Sequence, residues 1–376
     1  MKILSHEQYR QRRLILKTGV ATAVFSSMQS MSSTVSSQWE RASLEDMGIT
    51  PDLPERLAQG VKSGALANLH GVAIVRRGKL VLESYFTGQD ERWGTPLGTV
   101  AFNADTLHDV RSVSKSVVSL LYGIALEEGK VPSLNTPLLE AFPAYPDLAQ
   151  DDRRRQIHIH HALSMTMGLE WNEDLPYSDP RNSEIAMERS ADRYRYVLER
   201  PILTPPGEKW RYNGGTTALL GHLIAKGAGK PLLDFAREKL FTPLGIDKVE
   251  WTLGLNGEAA AASGLRMRPT DLAKIGQLLL QRGEWNGRTI VPGKWIAESL
   301  TSRAESYEGL QYGYQWFLIK RRDGRASYMG IGYGGQRLVV IPAPELAYVI
   351  FMGNYHRADQ LNMVFAVQTL IHESLK

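Results

Sequence analysis

The strongest constraint on the fold is that β-type sequence lies at both ends of a chain whose middle is helical. Early on, Gly71-Val72-Ala73-Ile74-Val75-Arg76-Arg77-Gly78-Lys79-Leu80-Val81-Leu82-Glu83-Ser84-Tyr85-Phe86 reads as two strands about an Arg-Gly turn. Late on, Tyr312–Ile319, Gly334–Ile341 and Leu346–Gly353 carry β character. Between them, residues 130–255 read as helices and loops punctuated by Pro180, Pro201, Pro205 and Pro206. Distant strands bury their apolar faces together if they share one antiparallel sheet, with the helical stretch inserted between them. The expected class is α+β: an antiparallel sheet from both chain ends, flanked by helices, plus an all-helical domain. The expected sheet domain covers 51–105 and 255–376, and the helical domain 106–254. A polar linker is expected at 35–50, and a ligand cleft at the seam of the two domains.

Helical spacing is clearest from Ser112 to Glu128, where Val113, Val117, Leu120, Leu121, Ile124 and Ala125 recur on one side and Gly129 stops the run. Further helices are expected at His160–Met167, Thr216–Lys226, Asp271–Gln281 and Asp359–Leu375. No internal repeat is present.

Charge narrows the partners. Of 44 basic and 40 acidic residues, five basic (Lys2, Arg10, Arg12, Arg13, Lys17) and one acidic (Glu7) fall in residues 1–34. The rest therefore carries 39 of each, so no global field favours nucleic acid or an anionic membrane. The basic head is followed by the short apolar stretch Gly19–Phe25, which makes residues 1–34 an export signal. Gln11-Arg12-Arg13-Leu14-Ile15 resembles a twin-arginine signal, with Ile15 where Phe is usual. The expected location is periplasmic or secreted. No apolar run reaches the roughly 18–20 residues of a membrane span, so no stable membrane anchor is expected. The absence of cysteine excludes disulfides, thiolate catalysis and Cys-based zinc sites.

Ser112-Val113-Ser114-Lys115 is the chain's single S-x-x-K, and it opens a helix. Residues three apart share a helix face, so the Lys amine can reach the Ser hydroxyl. A helix N-terminus also offers free N–H groups that favour a developing oxyanion. The competing reading makes Ser112 an N-cap and Lys115 a solvated first-turn residue. Ser114 has no Lys three residues on and is read as packing or capping. A second element, Pro206-Gly207-Glu208-Lys209-Trp210-Arg211-Tyr212-Asn213-Gly214-Gly215, is a tight loop that aims the Tyr212 phenol. Near a cation, that phenol can act as a general base or acid. A third, Tyr328-Met329-Gly330-Ile331-Gly332-Tyr333-Gly334-Gly335-Gln336, is a glycine-dense approach to a strand, where a substrate can lie close to backbone.

At these residues the chain resembles the serine β-lactamase-like hydrolases: class C β-lactamases, penicillin-binding carboxypeptidases, related esterases and the 6-aminohexanoate-dimer hydrolases. The resemblance is carried, in order over residues 65–355, by several segments. These are Ser112–Lys115, Ile159–Leu169, Pro206–Gly215 with Leu219-Leu220-Gly221, Pro243-Leu244-Gly245-Ile246, and Gly332–Gln336 with Ile341-Pro342. Glu170-Trp171-Asn172-Glu173-Asp174 looks like the 6-aminohexanoate-dimer hydrolase branch, which often has an aromatic residue facing the substrate where Trp171 stands.

The resemblance implies an acyl-enzyme on Ser112, proton transfers shared by Lys115 and Tyr212, and an oxyanion hole from the backbone N–H groups of Ser112 and Tyr333. Trp171, Gly332 and Gly334 are expected at the substrate. Neither cofactor nor metal is expected; His158, His160 and His161 are read as a strand-to-helix junction. The expected partner is a small-molecule ester, amide or peptide. Two departures stand out. Gly214 replaces the Asn of the usual Tyr-x-Asn, and Gly330-Ile331-Gly332 replaces Lys-Thr-Gly. Without that Lys, the carboxylate of a β-lactam lacks its usual partner, so β-lactamase activity is expected to be weak. The alternatives are a D-alanyl-D-alanine carboxypeptidase or β-lactamase, and, from another class, a non-catalytic peptidoglycan or peptide binder.

Overall fold

The computed structural model describes residues 39–307, 309–320 and 326–376; the expected export signal at 1–34 lies outside them. In chain order the principal elements are α1 (Leu53–Ser63), β1 (Leu69–Arg76), β2 (Lys79–Tyr85), β3 (Thr87–Arg92), β4 (Thr95–Ala101), β5 (His108–Asp109) and α2 (Val113–Glu127). There follow α3 (Ser183–Arg189), α4 (Gly214–Ala228), β6 (Glu250–Trp251), β7 (Leu265–Met267), α5 (Pro269–Leu280) and α6 (Gly293–Ser299). The chain ends with β8 (Ala304–Glu305), β9 (Gln311–Tyr312), β10 (Phe317–Lys320), β11 (Ala326–Gly332), β12 (Gln336–Ile341), β13 (Leu346–Met352) and α7 (Gln360–Glu373).

Both chain ends do build one sheet. Its eight strands run β8-β9-β10-β11-β12-β13-β1-β2, and every neighbouring pair is antiparallel. The early hairpin turns at Arg77 and Gly78, both left-handed (φ 51° and 79°). That backbone matches the twist of the strands it joins. β13 joins the late strands to the early ones, pairing Ala73 with Val349 and Leu338 with Val349.

The sheet is covered on both faces. On β1, β12 and β13, Ala73, Val75, Leu338, Val340, Val349 and Phe351 face one apolar layer shared with α2, α4 and α5. Val72, Ile74, Val339, Ile341, Tyr348 and Ile350 face a second layer capped by α1 and α7. Double coverage explains why these strands read as continuous apolar runs instead of alternating ones. Segment 39–50 packs on this body: Arg41 bridges Leu80 and Ile49 bridges Leu375. Among the described residues no helix is long and apolar enough to cross a membrane.

Several expected elements differ in extent. The helix expected over His160–Met167 is a single turn, Ile159–Leu163, because Met165 and Gly168 take left-handed conformations. The strand expected over Tyr312–Ile319 is broken between β9 and β10, at left-handed Gln315. The glycine-dense segment before Tyr333 is itself a strand, β11, paired on both sides.

Candidate active site

Ser112 is delivered by a strained turn. β5 pairs with β7, Val110 N–H donates to Leu265 O at 3.0 Å, and Arg111 then turns left-handed (φ 49°). Such a conformation costs a non-glycine residue on the order of 1–3 kcal/mol, so its surroundings must hold it. Arg111 is buried, ion-paired with Glu91, 3.5 Å from Asp109, and lies over the Tyr355 ring at 5.0 Å.

Ser112 follows in helical geometry and makes no capping bond. Instead Lys115 Nζ donates to Ser112 Oγ at 3.0 Å. Lys115 is only 2% exposed, so the capping-and-solvation reading fails for both residues. Nζ also donates to Ala262 O at 3.1 Å and lies 4.9 Å from the centre of the Tyr212 ring. Tyr212 is buried beside this pair, its phenol close enough to Ser112 for the two hydroxyl groups to influence each other. Ser114 points elsewhere: its hydroxyl donates to Arg111 O at 2.6 Å and accepts from Leu265 N–H. The structure thus brings Ser112, Lys115 and Tyr212 together from α2 and from the loop before α4.

That loop is fixed by its neighbours. Gly207 N–H donates to Thr166 O at 2.8 Å and Arg211 N–H to Met165 O at 3.0 Å. Asn213 then caps α4, its side chain accepting from Thr216 N–H at 3.2 Å. Burial, then the charge of Glu173, push the Tyr212 phenol well above its ordinary range. The resting group is therefore a neutral phenol, even with the Lys115 amine beside its ring.

Ser112 opens into a cavity of about 550 Å³, with Glu91, Arg111, Tyr177, Glu184 and Tyr333 among its lining residues. The size suits a small molecule. Tyr333 reaches this cavity from the β11–β12 turn. Among the described residues, the backbone N–H groups of Ser112 and Tyr333 have no acceptor within the chain.

Two carboxyl groups went unnoticed in the sequence. Glu173 Oε1 accepts from Trp171 Nε1 at 2.6 Å and from the Gly214 N–H, and Oε2 accepts from the Tyr177 hydroxyl at 3.3 Å. Glu184, on α3, accepts from Ser263 at 2.6 Å, while its other oxygen is buried without a hydrogen-bond partner. A Cβ on Gly214 would lie 2.9 Å from Glu173 Oε1 and 3.0 Å from Glu184 Oε2. The glycine that replaces Asn therefore makes room for a carboxyl pair. Burial first, and Glu184 second, push Glu173 up to about 7, while Lys115 opposes the shift. Two neighbouring carboxyls are disfavoured from ionising together.

Three expected substrate contacts are placed differently. Trp171 is 1% exposed, packed edge-on against Tyr196, and holds Glu173; it does not line the cavity. Gly334 donates its N–H to Gln360 at 3.0 Å, and its missing side chain makes room for the Tyr355 ring. Gly332 lets β11 approach the turn before Ser112, since a Cβ there would meet Val110 O at 2.5 Å. These glycines serve protein packing where substrate contact was expected. His158, His160 and His161 meet at the helix 159–163, where His161 Nδ1 accepts the His158 N–H at 3.0 Å.

The sequence model of the Beta-lactamase family matches residues 53–364. The chain belongs to this family. It is 25% identical over 321 residues to the 6-aminohexanoate-dimer hydrolase of Paenarthrobacter ureafaciens, covering 80% of this chain and 74% of that protein. It also superposes on a Bacillus anthracis protein provisionally assigned as a 6-aminohexanoate-dimer hydrolase (TM-score 0.69, 19% identity, 89% and 88% coverage). The D-amino acid amidase of Ochrobactrum anthropi SV3, in complex with L-phenylalanine amide, shares the fold (TM-score 0.63, 17% identity, 88% and 98% coverage). This family member is a serine hydrolase, related to amide hydrolases.

Proposed function

We propose that the protein cleaves a small ester or linear amide through an acyl-enzyme on Ser112. The observation that carries this reading is the buried Lys115 amine 3.0 Å from the Oγ of Ser112, which lines the cavity. Ser112 Oγ attacks the carbonyl carbon as Lys115 takes its proton. The unpartnered N–H groups of Ser112 and Tyr333 receive the oxyanion. Tyr212, a neutral phenol beside Lys115, relays a proton to the departing alcohol or amine. Water, activated by the same groups, then releases the acyl group and restores Ser112.

The relative that acts on 6-aminohexanoate dimers and the amidase of like fold support linear amides as one substrate class. We also propose that the protein is exported through the twin-arginine-like head, which cell fractionation with and without Arg12 and Arg13 tests. The catalytic reading is tested with a fluorophosphonate probe and a panel of p-nitrophenyl esters and linear amides. Wild type labels and turns over, while Ser112→Ala does neither. Wild type that neither labels nor turns over any member of the panel would instead support a non-catalytic binder.

A further inference from the structure

Outside the cleft, three buried side chains from separate strands converge on one point. His70 comes from β1, Asp90 from β3 and His108 from β5. His70 Nδ1 lies 2.9 Å from His108 Nε2 and 3.9 Å from Asp90 Oδ1, and His108 Nε2 lies 3.6 Å from that same oxygen. All three side chains are at most 1% exposed. The rings are wedged between aromatic faces, His70 on Phe102 at 4.1 Å and His108 on Phe351 at 4.7 Å.

Hydrogen bonding alone leaves this cluster unsatisfied. His108 Nδ1 lies 2.9 Å from Asp109 O, and only a protonated nitrogen pairs with a carbonyl. A neutral His108 therefore presents a bare Nε2. His70 Nδ1–H can serve that nitrogen, but Asp90 Oδ1 then has no donor, and it accepts no hydrogen bond in the structure. A buried carboxylate oxygen facing only acceptors costs several kcal/mol as a rough scale. A cation would satisfy all three atoms at once. The triangle with sides of 2.9, 3.6 and 3.9 Å is acute, and the point equidistant from its corners is about 2.0 Å from each. That is the bond length of zinc to imidazole nitrogen and carboxylate oxygen. The His108 Nδ1 contact with a carbonyl is also how metal-bound histidines are oriented.

We propose that His70, Asp90 and His108 form a binding site for a divalent first-row transition ion of the zinc type. Two imidazoles and one carboxylate suit such an ion better than calcium or magnesium, which take oxygen ligands. Three protein ligands leave one position of a tetrahedron for a non-protein ligand. The site is enclosed, so its role is structural. The ion ties β1 and β3 to β5, and His108 stands just upstream of the Arg111 turn that presents Ser112. This assignment rests on its own geometry and stands or falls independently of the acyl-enzyme reading.

The test uses the full chain. Wild type, stripped with a chelator and dialysed against excess zinc, should retain about one ion per chain by elemental analysis, and zinc should raise its Tm. Asp90→Asn and His108→Asn should lose that ion, whereas His160→Ala, in the other histidine group, should keep it. Anomalous diffraction at the zinc edge from wild-type crystals provides a second measurement that does not depend on the folding of the variants, with a peak expected between His70, Asp90 and His108. Wild type retaining less than about a tenth of an equivalent after zinc exposure would overturn the site. So would a peak only at His158, His160 and His161.

Discussion

Glu173 links burial to pH at the scale of a single residue. Its carboxyl is held at about 7, above the usual range near 4.5, by burial and by Glu184. The native state therefore keeps this proton where the unfolded chain releases it. The associated stability is fully present below about pH 4.5 and is lost as pH rises through about 7. Glu173→Gln removes the titration but keeps an acceptor for Trp171 and Gly214. Melting curves from pH 5 to 8 should show wild type losing stability relative to the variant; parallel profiles would refute the assignment. Tyr212 makes a second case. Tyr212→Phe removes the phenolic donor while keeping the ring beside Lys115, so kcat should fall roughly 10²–10⁴-fold. KM and Tm should change little, and steady-state kinetics with a p-nitrophenyl ester would check this. Ser112 and Lys115 were legible in the sequence because helical geometry puts i and i+3 side by side. Glu173 and Glu184 were not, because their meeting depends on where α3 packs against α4. The available hint was Gly214: a glycine in place of Asn leaves space that another group can fill.

β11 shows what can be hidden at the scale of an element. Its Tyr-Met-Gly-Ile-Gly stretch reads as the approach to a strand, yet it is itself a strand that pairs with β10 and β12 and passes directly beneath α2. The glycines answer that crossing. A Cβ at Gly330 would lie 2.8 Å from Val113 Cγ1 and 3.3 Å from Ser116 Oγ, both on the nucleophile helix. Gly330→Ala should therefore displace α2 or strain the strand, at a cost of about 1–3 kcal/mol. Thermal unfolding should register a Tm several degrees lower, and fluorophosphonate labelling of Ser112 should slow. An unchanged Tm would show that α2 yields freely. Strand and helix types elsewhere could be read from apolar periodicity. The breaks at Met165 and Gln315 could not, because left-handed backbone at a non-glycine residue is imposed by tertiary contacts. The His70, Asp90 and His108 cluster escaped for a related reason. These residues stand far apart in the chain and have no metal-binding spacing, so only the packing of three strands brings them together.

At the scale of the molecule, a sheet covered on both faces supports a rigid cleft, and the charges around that cleft decide what can enter. Two arginines line it: Arg111, next to Ser112, is engaged by Glu91 and Asp109, whereas Arg189 is exposed and lies on α3. His356 also lies 3.2 Å from Glu91. Glu184 lines the same cavity, and Glu173 lies near it on the far side of Gly214. Beside Ser112 a β-lactam carboxylate meets Glu184 and an already paired guanidinium, while the lysine of Lys-Thr-Gly is absent and Arg189 is carried on another element, α3. Substitution cannot simply restore that lysine, because Gly330 has no space for a Cβ. An uncompensated carboxylate in such a site costs several kcal/mol as a rough scale, and each 1.4 kcal/mol is about tenfold in rate. Nitrocefin should therefore be turned over with a kcat/KM at least about 100-fold below that for the best uncharged ester or linear amide of the panel. Measuring both on one preparation is decisive: comparable values would mean that the cleft accommodates the carboxylate through a group other than Arg111, with Arg189 the lining cation left to do so.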